Sequence, residues 1–238
     1  MRFFRFNILL LSLSLSSFLS AKQNISIASE EIEEFTEKKD KGLYWDLFRL
    51  IYKNDKISTT IKPYGRSEKL LNKGKIDILI PLYKLDIEDG LRGAKPFDFD
   101  RVSALFKKSK FKDWKGIERN LNRSFVWILE YGYEDYLNIK KYKEVRDRKQ
   151  ALSMLGKDRV DIYLDAKDDI EIAIEKHKLD SDEYGITEVL RLGLYPYFVK
   201  SEKGKSLKAS YDKRIEEIKK DGSLKALFKK YSIDYLHD

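Results

Sequence analysis

The sequence contains no cysteine, and only four prolines and two histidines, in 238 residues. Without thiols there is no disulfide to brace the fold, no lipid-modified cysteine, and no thiolate for metal binding or nucleophilic attack. His177 lies in the charged run Glu175-Lys-His-Lys178, and His237 is the penultimate residue. No His-x-x-x-His or Gly-x-Ser-x-Gly pattern is spelled out, so zinc-hydrolase and acyl-transfer sites have no support. The acidic pairs Glu33-Glu34 and Asp168-Asp169 are adjacent, and neighbours in a strand or helix point in different directions. The expectation is of no catalytic residue, no metal and no cofactor. A carboxylate-based hydrolase stays open, because its two acids can lie far apart along the chain.

Long uncharged runs are missing too, except at the start. Arg2 and Arg5 precede Asn7 to Ala21, a stretch without charge that carries Leu9, Leu10, Leu11, Leu13 and Leu15 and ends in small residues. That order is expected of a secretory leader, 1–21, cleaved near Ala21. A membrane anchor is the alternative, but the stretch is short and Ser-rich for about 30 Å of hydrocarbon. The remainder is long enough to bury one large core or two smaller ones.

Charge of one sign does not dominate locally. Lys and Arg number 48 against 40 Asp and Glu, a formal +8. The basic residues are interleaved with acidic ones along the whole chain, which argues against a nucleic-acid partner.

What is present is alternation. Apolar runs expected to be strands are Ile25–Ser29, Ile57–Lys62, Ile76–Leu82, Val102–Phe106, Ser124–Leu129, Val160–Leu164 and Leu194–Val199. Between them the period changes: Leu43, Leu47, Leu50 and Ile51 share one helix face, as do Leu207, Tyr211, Ile215 and Ile218. Strands alternating with helices predict an α/β fold with largely parallel sheets and helices outside. Two segments echo each other. Arg66 to Asp77 and Arg148 to Asp161 each read as a helix, a glycine stop (Gly74, Gly156) and an Asp opening a strand. Any helix-to-strand joint could look so; two equivalent units, one in each half, suggest two similar lobes.

The order of several short segments carries a family resemblance. They are Gly42-Leu-Tyr-Trp-Asp46, Pro63-Tyr-Gly-Arg66, Gly74-Lys-Ile-Asp77, Lys95-Pro-Phe97 ahead of Val102-Ser-Ala-Leu-Phe-Lys-Lys108, and Arg159-Val-Asp161. Lys219-Lys-Asp-Gly-Ser-Leu-Lys-Ala-Leu-Phe-Lys-Lys-Tyr231 closes the series. Together they resemble the periplasmic solute-binding proteins of the polar-amino-acid type (family 3), as a divergent branch. The resemblance implies a periplasmic binding protein-like type II fold, two α/β lobes joined by two crossing strands. Lobe 1 would take 22–98 and 196–238, and lobe 2 would take 99–195, with crossings near Phe97–Arg101 and Leu192–Pro196. It implies a monomeric periplasmic protein that closes on a small-molecule ligand by hinge motion and serves an ABC permease in the inner membrane. A soluble ligand-sensing accessory protein is the alternative.

The resemblance also nominates site residues. Phe35 would be an aromatic platform, with core packing as its alternative. Arg66 could hold a carboxylate at the cleft edge, or pair on the surface with Glu68 or Asp77. In amino-acid binders of this family, Thr or Ser followed by Arg clamps the ligand's α-carboxylate soon after the Gly-x-x-Asp strand. Here Asp89 stands in that place; Arg92 would serve only by a shift, and Lys84 would be a less directional donor. In the second half Gly132 would offer its N–H, and Asp165 would face an ammonium with its register off by one. Tyr83, Tyr131 and Tyr133 make the pocket aromatic, and Glu130, Glu134 and Asp135 make it acidic. This points to a cationic or neutral polar ligand.

Overall fold

The computed structural model describes residues 22–237 apart from 86, 88, 89 and 112. The leader expected at 1–21, and Asp89, lie outside the described residues. β1 (Asn24–Ser29), β2 (Lys56–Ile61) and β3 (Ile78–Leu82) form a parallel set with β1 in the centre. In the second half β6 (Phe125–Ile128), β7 (Tyr142–Val145) and β8 (Ile162–Ala166) repeat the arrangement around β6. Two long strands join the sets. β5 (Asp98–Lys107) and β9 (Tyr184–Phe198) run antiparallel from the pair Asp98–Leu194 to the pair Lys107–Tyr184. The resulting sheet has the order β2-β1-β3-β9-β5-β8-β6-β7, with the short β4 (Leu91–Arg92) also on β9. The expected parallel sheets are therefore mixed: parallel within each half, and antiparallel wherever β5 or β9 joins.

Side-chain alternation builds a core on each face. Ile25 and Ile27 of β1 pack beneath α1 (Leu43–Ile51), α6 (Glu202–Lys220) and α7 (Ser223–Lys230), with Trp45, Phe48, Tyr211 and Phe228 fully buried there. Ala28 faces the other way, toward Leu71 of α2 (Tyr64–Asn72). In β8, Ile162 and Leu164 enter one cluster, while Tyr163 enters the cluster under α4 (Arg148–Gly156) and α5 (Lys167–His177). Each fully buried Leu, Ile or Phe contributes about 1.5–3 kcal/mol. The stripe Leu207, Tyr211, Ile215 and Ile218 is buried as its spacing predicts.

The sequence echo is structural, but its glycines do not correspond. After α2, Gly74 takes φ +65, its N–H bonding Leu71 O and the Lys75 N–H bonding Leu70 O. After α4 the same pair of bonds comes from Asp158, at φ +58, to Leu155 O, and from Arg159 to Met154 O. This is the Schellman ending in both cases. Gly156 is the last helical residue rather than the stop, and Asp158 holds the left-handed position, which short polar side chains tolerate. Three residues further on, Asp77 accepts from the N–H (2.8 Å) and Oγ (2.9 Å) of Ser26. Asp161 accepts from the N–H (3.1 Å) and Oγ (2.7 Å) of Ser124.

The C-terminal segment returns across the junction. His237 Nε2 lies 2.9 Å from Phe97 O, and Asp234 pairs with Arg101 of β5 at 3.1 Å. Arg101 also pairs with Asp168 of α5 at 3.2 Å, so one guanidinium touches both the tail and the second half. No helix among the described residues is long and apolar enough to cross a membrane.

Candidate ligand cleft

Parallel α/β units place the C-terminal ends of their strands, and the turns that follow, at one edge, where ligands bind. Here both halves present that edge to the same gap. Glu30 and Ile32 follow β1, Leu79 to Tyr83 end β3 (through a cis Ile80–Pro81 bond), and Leu129, Glu130 and Tyr131 follow β6. With Tyr64 at the start of α2, residues from these turns line a cavity of about 150 Å³. The Tyr64 N–H donates to the Glu30 carboxylate, which fastens the start of α2 to the turn after β1.

Tyr83 touches the cores of both halves. Its hydroxyl donates to Asp100 Oδ2 at 2.7 Å, and its ring stands 6.4 Å from Tyr133 and 6.1 Å from Tyr136. The Tyr136 hydroxyl in turn accepts the Leu85 N–H at 3.0 Å, a second link across the gap. Tyr133 is fully buried, edge-on to Tyr131 and Trp127. It opens α3 (Tyr133–Leu137), which Gly132 caps at φ +62 with open space where a Cβ would stand.

Asp165 is buried, and its partners are internal. It shares the face of Tyr163, whose hydroxyl donates to it, and it accepts the Ala166 N–H at 2.8 Å. Arg148 Nε donates to it at 2.9 Å. The Asp147 side chain caps α4 by accepting the Gln150 N–H, which sets Arg148 at the first helical position above the end of β8. Arg148 Nη2 also reaches Asp169 (2.6 Å) and the Tyr131 hydroxyl (3.2 Å). The one-residue register offset read in the sequence thus has a consequence: on a strand it turns the carboxylate to the helix-covered face. Burial raises the Asp165 pKa, against the pull of Arg148. Burial opposes charge on Arg148 too, yet Asp165, Tyr131 and Asp169 hold its pKa above normal.

The crossing strand adds two acids, Asp98 buried and Asp100 half-buried. Asp98 accepts from the Tyr44 hydroxyl (2.9 Å) and the Phe99 N–H (2.8 Å), and burial pushes its pKa up to about 7. Burial likewise pushes Asp100 up to about 6, against the hydrogen bond from Tyr83.

The remaining nominated residues stand apart from the cavity wall. Phe35 is half-buried against the first core, its ring 4.7 Å from Tyr44. Arg66 sits exposed in the first turn of α2, and Lys84 is exposed beyond the end of β3. The Arg92 guanidinium lies 4.2 Å over the ring of Tyr195, so the shifted clamp candidate is stacked on β9. Asp77 pairs with Lys203 at 2.7 Å. The sequence did not single out Glu30, Tyr64, Arg148, Asp98 or Asp100. Tyr64 stood inside a quoted motif, and the capping Asp147 was the available signal for Arg148.

No protein-family model and no curated protein matches the sequence. Solved structures do. One, from work on glutathione import through GshT and the cystine ABC importer TcyBC of Streptococcus mutans, has a TM-score of 0.67 at 16% identity, covering 91% of this chain and 98% of that one. An ancestral arginine-binding protein bound to arginine scores 0.63 at 18% identity, covering 87% and 97%. The ancestral amino acid-binding protein AncCDT-1, a precursor of cyclohexadienyl dehydratase, scores 0.62 at 16% identity, covering 87% and 95%. At these identities the likeness is one of fold. The chain has the type II periplasmic binding protein fold, two α/β lobes on a pair of crossing strands with a cleft between them.

Proposed function

We propose that this is a periplasmic solute-binding protein that captures a small polar solute by closing its lobes, without catalysing a reaction. One lobe comprises 22–98 and 196–238 and the other 99–195, with the leader 1–21 removed on export and an ABC permease receiving the solute. The observation that carries the reading is the cavity of about 150 Å³ walled by turns from both halves, Glu30 to Tyr83 on one side and Leu129 to Tyr131 on the other. Rotation about β5 and β9 opens or closes such a wall, with Tyr83 the contact that must move against one of the two cores. The described wall offers rings, carboxylates and aliphatic surface, a set suited to holding a solute.

Native mass spectrometry of the purified mature protein, followed by X-ray scattering with and without the molecule found, tests the proposal. A copurifying solute whose addition shrinks the radius of gyration is the expected result. Identical scattering curves with the solute bound would rule out the clamp.

A further inference from the structure

We infer that the solute is a small organic cation without a carboxylate, an alkylammonium or guanidinium compound; this rests on the clamp reading above. The cavity wall contributes two carboxylates, Glu30 and Glu130, and three tyrosines, Tyr64, Tyr83 and Tyr131; the rest of its described lining is aliphatic. No Lys or Arg lines it among the described residues. Carboxylates attract a cation directly, and aromatic faces attract it through their quadrupoles. A carboxylate drawn into the same space would meet the like charges of Glu30 and Glu130, which costs binding energy even where water screens them in part.

The cations that could offset this are committed or outside. Arg148 touches the wall through Tyr131, but its guanidinium is shared by Asp165 and Asp169. Arg92 is stacked on Tyr195. Arg66 and Lys84 are exposed and absent from the wall. Behind the wall Asp100 adds a half-buried acid, bonded to the Tyr83 hydroxyl.

Two matched pairs of probes isolate the carboxylate: agmatine against arginine, and cadaverine against lysine. Each is titrated calorimetrically into the mature protein. The decarboxylated member of at least one pair is expected to bind about tenfold or more tightly than its parent, since like-charge contacts penalise the parent. Glu130→Gln, an exposed position whose loss leaves the cores intact, is expected to weaken the amine several-fold. Parents that bind as tightly as their amines would overturn the inference and leave the clamp reading standing. If none of the four binds, the inference is also overturned. In that case a neutral or anionic copurifying solute preserves the clamp reading, and the absence of any solute counts against both.

Discussion

Arg148 donates to Asp165 at 2.9 Å from the first turn of the helix above it, while Asp165 itself has no solvent exposure. A fully buried carboxylate that loses its cation keeps its desolvation cost without the offsetting attraction. Arg148→Met is therefore expected to destabilise the protein by about 2 kcal/mol, below the usual cost for buried pairs because the arginine is partly exposed. Urea unfolding measures this, and the stability of the variant should recover at acidic pH as Asp165 takes up a proton.

Asp98 and Asp100 give the protein an unusual pH dependence. Their native pKa values, about 7 and about 6, lie above the ordinary 3.8, so the folded state keeps protons that the unfolded chain has released. Their contribution is fully present below the ordinary value and is lost as pH rises through the native ones. For Asp98, deeply buried at 4% exposure, the loss is on the order of 4 kcal/mol. Asp98→Asn is expected to lose less stability than the parent protein between about pH 5 and about pH 8, read from urea midpoints. Parallel profiles would contradict the assignment.

Gly42 holds the turn that positions Phe35. Its φ of +118 is closed to other residues, and a Cβ there would stand 2.3 Å from Phe35 O. The Tyr44 N–H bonds that same carbonyl at 3.0 Å. Gly42→Ala is expected to cost about 2–3 kcal/mol in thermal unfolding, through backbone strain and displacement of the Phe35 loop.

The paired Asp–Ser contacts predict matching losses in the two lobes. Asp77→Ala strands the Ser26 N–H, and Asp161→Ala strands the Ser124 N–H, at about 1–3 kcal/mol each. Asp77→Ala should be the larger, because it also releases Lys203, held at 2.7 Å, whereas Lys110 meets Asp161 at 3.4 Å. Calorimetric unfolding of the two variants decides the order.

Much of this fold was legible in the residues. The apolar runs became β1, β2, β3, β6 and β8 within a residue or two, because their apolar side chains had to be buried. The stripe from Leu207 to Ile218 became α6 for the same reason. β7 was missed because only Val145 of its four residues is buried. The full lengths of β5 and β9 were missed because polar residues such as Asp98, Asp100 and Glu188 sit inside them, their strand geometry set by mutual pairing. The site was less legible still. Family position nominated Arg66, Lys84 and Arg92, yet whether a cation reaches a cavity depends on side-chain direction and on competing partners such as Tyr195. The contact of Arg148 with Asp165 crosses seventeen residues and follows from a helix cap, a signal too local to reveal its partner.

The most direct test of the clamp exploits the absence of cysteine. Lys69→Cys on α2 and Lys149→Cys on α4 place spin labels at exposed positions on opposite sides of the cleft. Their separation is measured by pulsed electron resonance with and without a bound solute. The account predicts that the solute shifts the distance distribution to shorter values while each lobe keeps its own structure. An unchanged distribution, with the solute shown to be bound, would contradict it.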